Sequence, residues 1–137
     1  MNQAEFPYEN KLSKIFKTVK RPVAKIKIWS NYLKEWVLYT MVVDTGADYT
    51  VLSIYNALAL GIDVKSDCEE IETIGIGGKQ KIYFYNKKIK IKIGEYNLKI
   101  PVGFAQSNNI PAILGRQGCL DNFKLTFHNF KTTFSSR

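Results

Sequence analysis

From Val23 onward the chain repeats apolar and polar residues with a period of two, in short runs broken by Gly, Asn and Asp. That alternation puts one face of each strand in a core and the other in water, and many short strands at close spacing point to an all-β domain. Residues 24–29 read as a strand, Ser30 and Asn31 open a turn, and residues 36–43 return, which predicts a hairpin with Trp29 and Trp36 facing each other as a cross-strand core pair. Residues 49–53 form another short strand. Residues 54–60 fit one helical stretch closed by Gly61, where a left-handed cap is favoured.

Further along, residues 70–74 and 79–85 flank Gly75-Ile76-Gly77-Gly78, the strongest hairpin-turn signal in the sequence. Residues 88–93 alternate lysine with isoleucine without a break, and residues 96–104 read as the next strand, meeting them at Gly94-Glu95. After a polar stretch come Ala112-Ile113-Leu114-Gly115, a short helix over 116–123, and a last hairpin of residues 124–127 and 130–134 turning at His128-Asn129. Phe127, Phe130 and Phe134 of that hairpin are assigned to the core. The expected fold is all-β, a barrel or a sandwich, with one glycine-tipped hairpin and one or two short helices.

Composition sharpens this only in part. A chain of 137 residues supports one compact domain. Residues 1–20 show no clear periodicity and are set apart as an arm of unknown structure, leaving 21–137 as the domain. The net charge of +8 raises the prospect of a nucleic-acid partner. Strict alternation, however, puts Lys88, Lys90 and Lys92 on the solvent face of a strand, and the basic run from Lys11 to Arg21 has Phe16 as its one interleaved aromatic. No specific nucleic-acid partner is expected. Cys68 and Cys119 lie far apart with no C-x-x-C spacing and no pattern of further Cys or His around them, which argues against a zinc site or a disulfide framework, so two free thiols and no metal or cofactor are expected. His128 lies at a turn with no serine or cysteine in a nucleophile context. No apolar run reaches membrane-spanning length and residues 1–20 carry scattered charge, so a cytoplasmic setting away from membranes is expected.

The chemistry lies in Met41-Val42-Val43-Asp44-Thr45-Gly46-Ala47. An aspartate on a tight loop at the end of an apolar strand is held rigidly and partly out of water. Two such carboxylates within hydrogen-bonding distance cannot both ionise cheaply, so the pair shares a proton and acts as base and acid at once. That suffices for hydrolysis by activated water, with no metal and no covalent intermediate. Asp-Thr-Gly alone is weak evidence, since its ordinary reading is a turn. Here it follows an apolar strand and is accompanied by a glycine-rich hairpin and by Ile113-Leu114-Gly115. A dinucleotide-binding loop is excluded for Gly75-Ile76-Gly77-Gly78, because strand-like residues follow it where a helix would be needed.

Three segments in order, VVDTGADYTVLS (42–53), IGIGG (74–78) and AILGRQ (112–117), resemble the subunit of a retroviral-type, retropepsin-like aspartic protease, and together they frame about two-thirds of the chain. The resemblance implies a closed, barrel-like aspartic protease half, with Asp44 as the catalytic residue, Thr45 interlocking with its mate across a dimer, and Gly46 and Ala47 lying along the substrate backbone. It also implies that Asp48 binds substrate main chain and is held by Arg116, that Ile113, Leu114 and Gly115 brace the active-site loop, and that Gly75, Ile76, Gly77 and Gly78 form a flap over the substrate. Asp-Thr-Gly occurs once, and Asp63, Asp67 and Asp121 lack its context, so the functional unit is expected to be a homodimer. The expected function is an endopeptidase acting on polypeptide in extended conformation, the alternative being a dimeric peptide-binding or assembly domain of the same fold without catalysis.

Overall fold

The computed structural model describes residues 3–75, 78–107 and 109–137. The segment without readable periodicity contains three short strands, β1 (Gln3–Pro7), β2 (Glu9–Ser13) and β3 (Lys17–Arg21). They are followed by the hairpin of β4 (Val23–Ser30) and β5 (Glu35–Val43). In β4 the buried residues Ala24, Ile26 and Ile28 alternate with Lys25, Lys27 and Trp29. Trp29 does pair with Trp36, with ring centroids 5.4 Å apart. Both share the lysines' register, so the pair lies half-buried on the outer face and not in the core, with the Lys92 Nζ 4.8 Å above the Trp36 ring.

β6 (Thr50–Ser53) leads into α1 (Tyr55–Ala59), and Gly61 closes that helix at φ +79°, a conformation glycine adopts without steric cost. A second helical turn, α2 (Val64–Asp67), was not expected; Asp63 caps it by accepting from the Lys65 N–H at 3.0 Å, while the Asp63 N–H donates back to Asp67 at 2.9 Å. Next come β7 (Cys68–Gly75), β8 (Gly78–Tyr85), β9 (Ile89–Ile93) and β10 (Tyr96–Ile100). The strand expected over 96–104 is broken at Pro101, which has no N–H for the ladder. Its second half, β11 (Val102–Ala105), crosses to another part of the sheet and pairs with β6 and β8.

After β12 (Ile113–Leu114) the expected helix over 116–123 shrinks to one 3₁₀ turn, Leu120–Asn122, because Gly118 takes φ +68° and interrupts helical geometry. β13 (Phe123–His128) and β14 (Lys131–Ser136) form the last hairpin. Its turn falls one residue later than expected, on Asn129 and Phe130 with φ 50° and 58°, the positive values a tight two-residue hairpin turn needs. Phe134 is fully buried, packed edge-on against Phe6 and Phe123 at 5.8 and 5.3 Å. Phe127 and Phe130 are exposed, which corrects their assignment to the core.

Among the described residues three sheets result. Nine strands run in the order β10-β9-β4-β5-β12-β6-β11-β8-β7, β1-β14-β13 form a second sheet, and β2-β3 form a third. The expected closure into a barrel does not appear: the large sheet ends at β10 and β7, and among the described residues no ladder joins them. Its core is built by Ile26, Ile28, Met41, Leu52, Ile91, Ile93, Phe104 and Leu114, all fully buried.

Candidate active site

Asp44 follows directly on β5, and β6 begins six residues later at Thr50. These two strands do not pair with each other. β12 lies between them, parallel to β5 with Ile113 opposite Val42 and Leu114 opposite Val43, and antiparallel to β6 with Ile113 opposite Val51. The loop carrying Asp44 therefore spans the end of an inserted strand, which gives the backbone of 112–117 access to it from below.

That access is used. The Asp44 N–H donates to the Leu114 carbonyl at 3.1 Å, the Arg116 N–H to the Ala47 carbonyl at 2.9 Å, and the Gln117 N–H to the Asp48 carbonyl at 2.8 Å. Inside the loop, the Ala47 N–H donates to the Asp44 carbonyl at 3.1 Å and the Gly46 N–H to Asp44 Oδ1 at 2.9 Å. One carboxylate oxygen is thereby fixed in direction. Asp44 is half-buried, while Thr45, Gly46 and Asp48 are exposed.

The pairing expected between Asp48 and Arg116 is present, with Arg116 Nη2 donating to Asp48 Oδ1 at 2.6 Å. Their side chains are 74% and 40% exposed, so solvent screens the attraction and its main consequence is positional. Glycine at 115 is dictated by space: a Cβ there would sit 2.2 Å from the Tyr49 carbonyl carbon, which is backbone and cannot yield.

Sequence reasoning missed two supports. Thr50 is fully buried, and its hydroxyl accepts the Gly115 N–H at 3.1 Å, tying the start of β6 to the bracing segment. A threonine at an inward register of an otherwise apolar strand is the signal that points to it. The second is Pro22, whose carbonyl accepts the Val43 N–H at 3.1 Å, one residue before Asp44. Cys119 is fully buried nearby, and burial pushes its thiol up to about 12, with the Thr50 hydroxyl pulling weakly the other way. Such a thiol stays neutral and unreactive.

The glycine-tipped hairpin is formed by β7 and β8, with Gly75 opposite Gly78, and Ile76 and Gly77 lie outside the described residues. Its base reaches the aspartate loop through Tyr49, whose ring meets Phe84 of β8 edge-on at 5.3 Å. Among the described residues no group of three or more His, Cys, Asp or Glu side chains is placed to hold a metal ion.

An apolar strand ending in a clamped Asp-Thr-Gly loop, braced from beneath by Ile-Leu-Gly-Arg, matches the sequence family described as aspartyl protease over residues 37–117. The chain belongs to the aspartyl protease family. Its fold is retropepsin-like: it superposes on the crystal structure of a retropepsin-like aspartic protease from Rickettsia conorii with a TM-score of 0.64, covering 97% of this chain and 98% of that one at 18% identity. No curated protein matches it in sequence.

Proposed function

We propose that this aspartyl protease family member is a homodimeric endopeptidase that hydrolyses peptide bonds in extended polypeptide, with Asp44 of each copy supplying one of two carboxylates that activate a water molecule. The observation that carries this reading is the clamped loop. Asp44 is fixed through its own N–H to Leu114 and through Oδ1 to Gly46, while its neighbours Ala47 and Asp48 are pinned by Arg116 and Gln117. Rigid placement of a partly desolvated carboxylate is what general acid-base chemistry requires, and a pure binding surface has no such need.

Each chain contributes one aspartate in this setting, so two copies meet with a two-fold axis between their Asp44 side chains. The two carboxylates share one proton: the ionised one takes a proton from water as it attacks the carbonyl carbon, and the protonated one donates to the carbonyl oxygen. Collapse of the tetrahedral intermediate then returns a proton to the leaving amine. Gly46, Ala47 and Asp48 present main-chain and carboxylate groups to an extended substrate, and the β7–β8 hairpin closes over it as a flap, adding main-chain hydrogen bonds and excluding water.

The test is cleavage of an unstructured protein between about pH 4 and 7, the range over which paired carboxylates exchange protons, with wild type and Asp44→Asn side by side. Wild type is expected to cleave and the variant to be inactive with fold and dimer retained. Equal cleavage by both sinks the dyad, and a wild-type dimer that cleaves nothing leaves a peptide-binding domain of the same fold.

A further inference from the structure

We infer that the β2–β3 hairpin is an arm by which one copy of this chain grips a second copy beside the Asp44 loop. The inference rests on the two-chain reading above, and it names the contact that holds the two chains together.

The hairpin stands apart from the rest of the fold. Among the described residues, β2 and β3 pair only with each other. A lone two-stranded ribbon is marginal in water unless something covers one of its faces. At its tip are the most exposed apolar side chains of this segment: Leu12 is 87% exposed, Ile15 83% and Phe16 69%. Large apolar groups clustered on one projecting turn mark an interaction surface more than a solvated one.

The tip is an ordered platform. Ser13 Oγ accepts from the N–H groups of both Ile15 and Phe16 at 3.2 Å, and the Thr18 N–H donates to the Phe16 carbonyl at 2.7 Å. Lys17 completes the turn at φ +64°. Ile15 and Phe16 are thus displayed in a set conformation before any partner arrives, which lowers the entropic cost of binding.

The base of the hairpin is anchored, and its position selects the partner. The Tyr8 N–H donates to the Phe130 carbonyl at 2.9 Å, the Tyr8 and Phe130 rings meet edge-on at 5.9 Å, and Lys20 Nζ lies 4.3 Å above the Phe130 ring. On the other side, β3 runs through Pro22 into β4, where Val23 pairs with Val42 and the Pro22 carbonyl takes the Val43 N–H. The hairpin therefore leaves the body at the residues preceding Asp44, on the rim of a site that one chain leaves incomplete. A second copy must approach that rim for two Asp44 carboxylates to meet, and two-fold symmetry gives each copy one arm and one surface to receive it.

The experiment is sedimentation velocity over a concentration series, comparing full-length wild type with the triple variant Leu12→Ser, Ile15→Ser, Phe16→Ser. The expected result is dimerisation weakened at least about tenfold, with an unchanged far-UV circular dichroism spectrum and peptide cleavage that recovers as protein concentration is raised. A photo-crosslinking residue in place of Ile15 is expected to give a covalent dimer of wild-type fold, which reads the contact directly even if the triple variant folds poorly. A dimer constant within about threefold of wild type, or crosslinks confined within one chain, overturns the arm. So does a variant that keeps its dimer but loses binding to anionic phospholipid vesicles, since the tip then serves a membrane. The outcomes separate this inference from the catalytic reading: a wild type that cleaves with a tip-insensitive dimer removes the arm alone, and a tip-dependent dimer that cleaves nothing removes the protease alone.

Discussion

The loop around Asp44 and the β7–β8 hairpin are both turns off the same large sheet, and they are held in opposite ways. The loop takes its hydrogen bonds from Leu114, Arg116 and Gln117, about seventy residues further along the chain, so its position is fixed by the tertiary fold. The hairpin is joined to the sheet at its base, where Ile82, Tyr83 and Phe84 of β8 pair with β11; among the described residues β7 is the edge strand and pairs only with β8, and the ion pairs Glu72–Lys79 and Glu70–Lys81 along it are surface contacts at 3.7 and 3.8 Å. One turn is held by several contacts from far along the chain, and among the described residues the other has ladder partners outside itself at its base alone. For the hydrolase proposed above, this division would put the fixed loop under the reacting group and the less supported end of the hairpin over the substrate.

The largest effect should come from the clamped side. Gly115→Ala drives a methyl into the Tyr49 backbone, 2.2 Å away, and is expected to cost about 3 kcal/mol or to prevent folding, read as a fall in the urea midpoint. Thr50→Val keeps the shape but leaves the Gly115 N–H without its buried acceptor. That change should cost about 1–3 kcal/mol and lower turnover through the displaced loop. Retention of wild-type stability in Thr50→Val would mean that the bracing segment does not depend on this bond. At the other extreme, Lys81→Ser removes one exposed ion pair of the hairpin, with both partners more than half exposed, and should shift stability by less than about 0.5 kcal/mol. A hairpin substitution that destabilised as strongly as Thr50→Val would erase the contrast.

Much of this arrangement was legible in the chain. Alternation located β4 and β9, because each has one buried and one wet face, and the Asp-Thr-Gly, Ile-Leu-Gly-Arg and glycine-hairpin segments indicated the aspartate loop, its brace and the hairpin. The ion pair between Asp48 and Arg116 was also expected, as an implication of the resemblance to retropepsin-like subunits. What escaped has physical reasons. β2 and β3 bury almost nothing, so no period is written into them, and β1 finds its partner β14 at the far end of the chain. Pro101 sits between two apolar runs that read as one strand until the missing N–H is weighed. The Trp29–Trp36 pair was located but placed on the wrong face, because its aromatic character outweighed the register it shares with Lys25 and Lys27. Thr50 was passed over because a buried hydroxyl shows its purpose only when its partner, Gly115, is seen beside it.

The central claim is that two chains share one catalytic centre, and mixing subunits tests it most directly. Wild type and Asp44→Asn are combined in varied proportion at constant total protein, allowed to exchange, and assayed for peptide cleavage. If each site needs Asp44 from both copies, activity falls as the square of the wild-type fraction, because a dimer with one variant chain is inactive. Activity falling in simple proportion to the wild-type fraction would mean that each chain hydrolyses peptide alone, and would contradict the account.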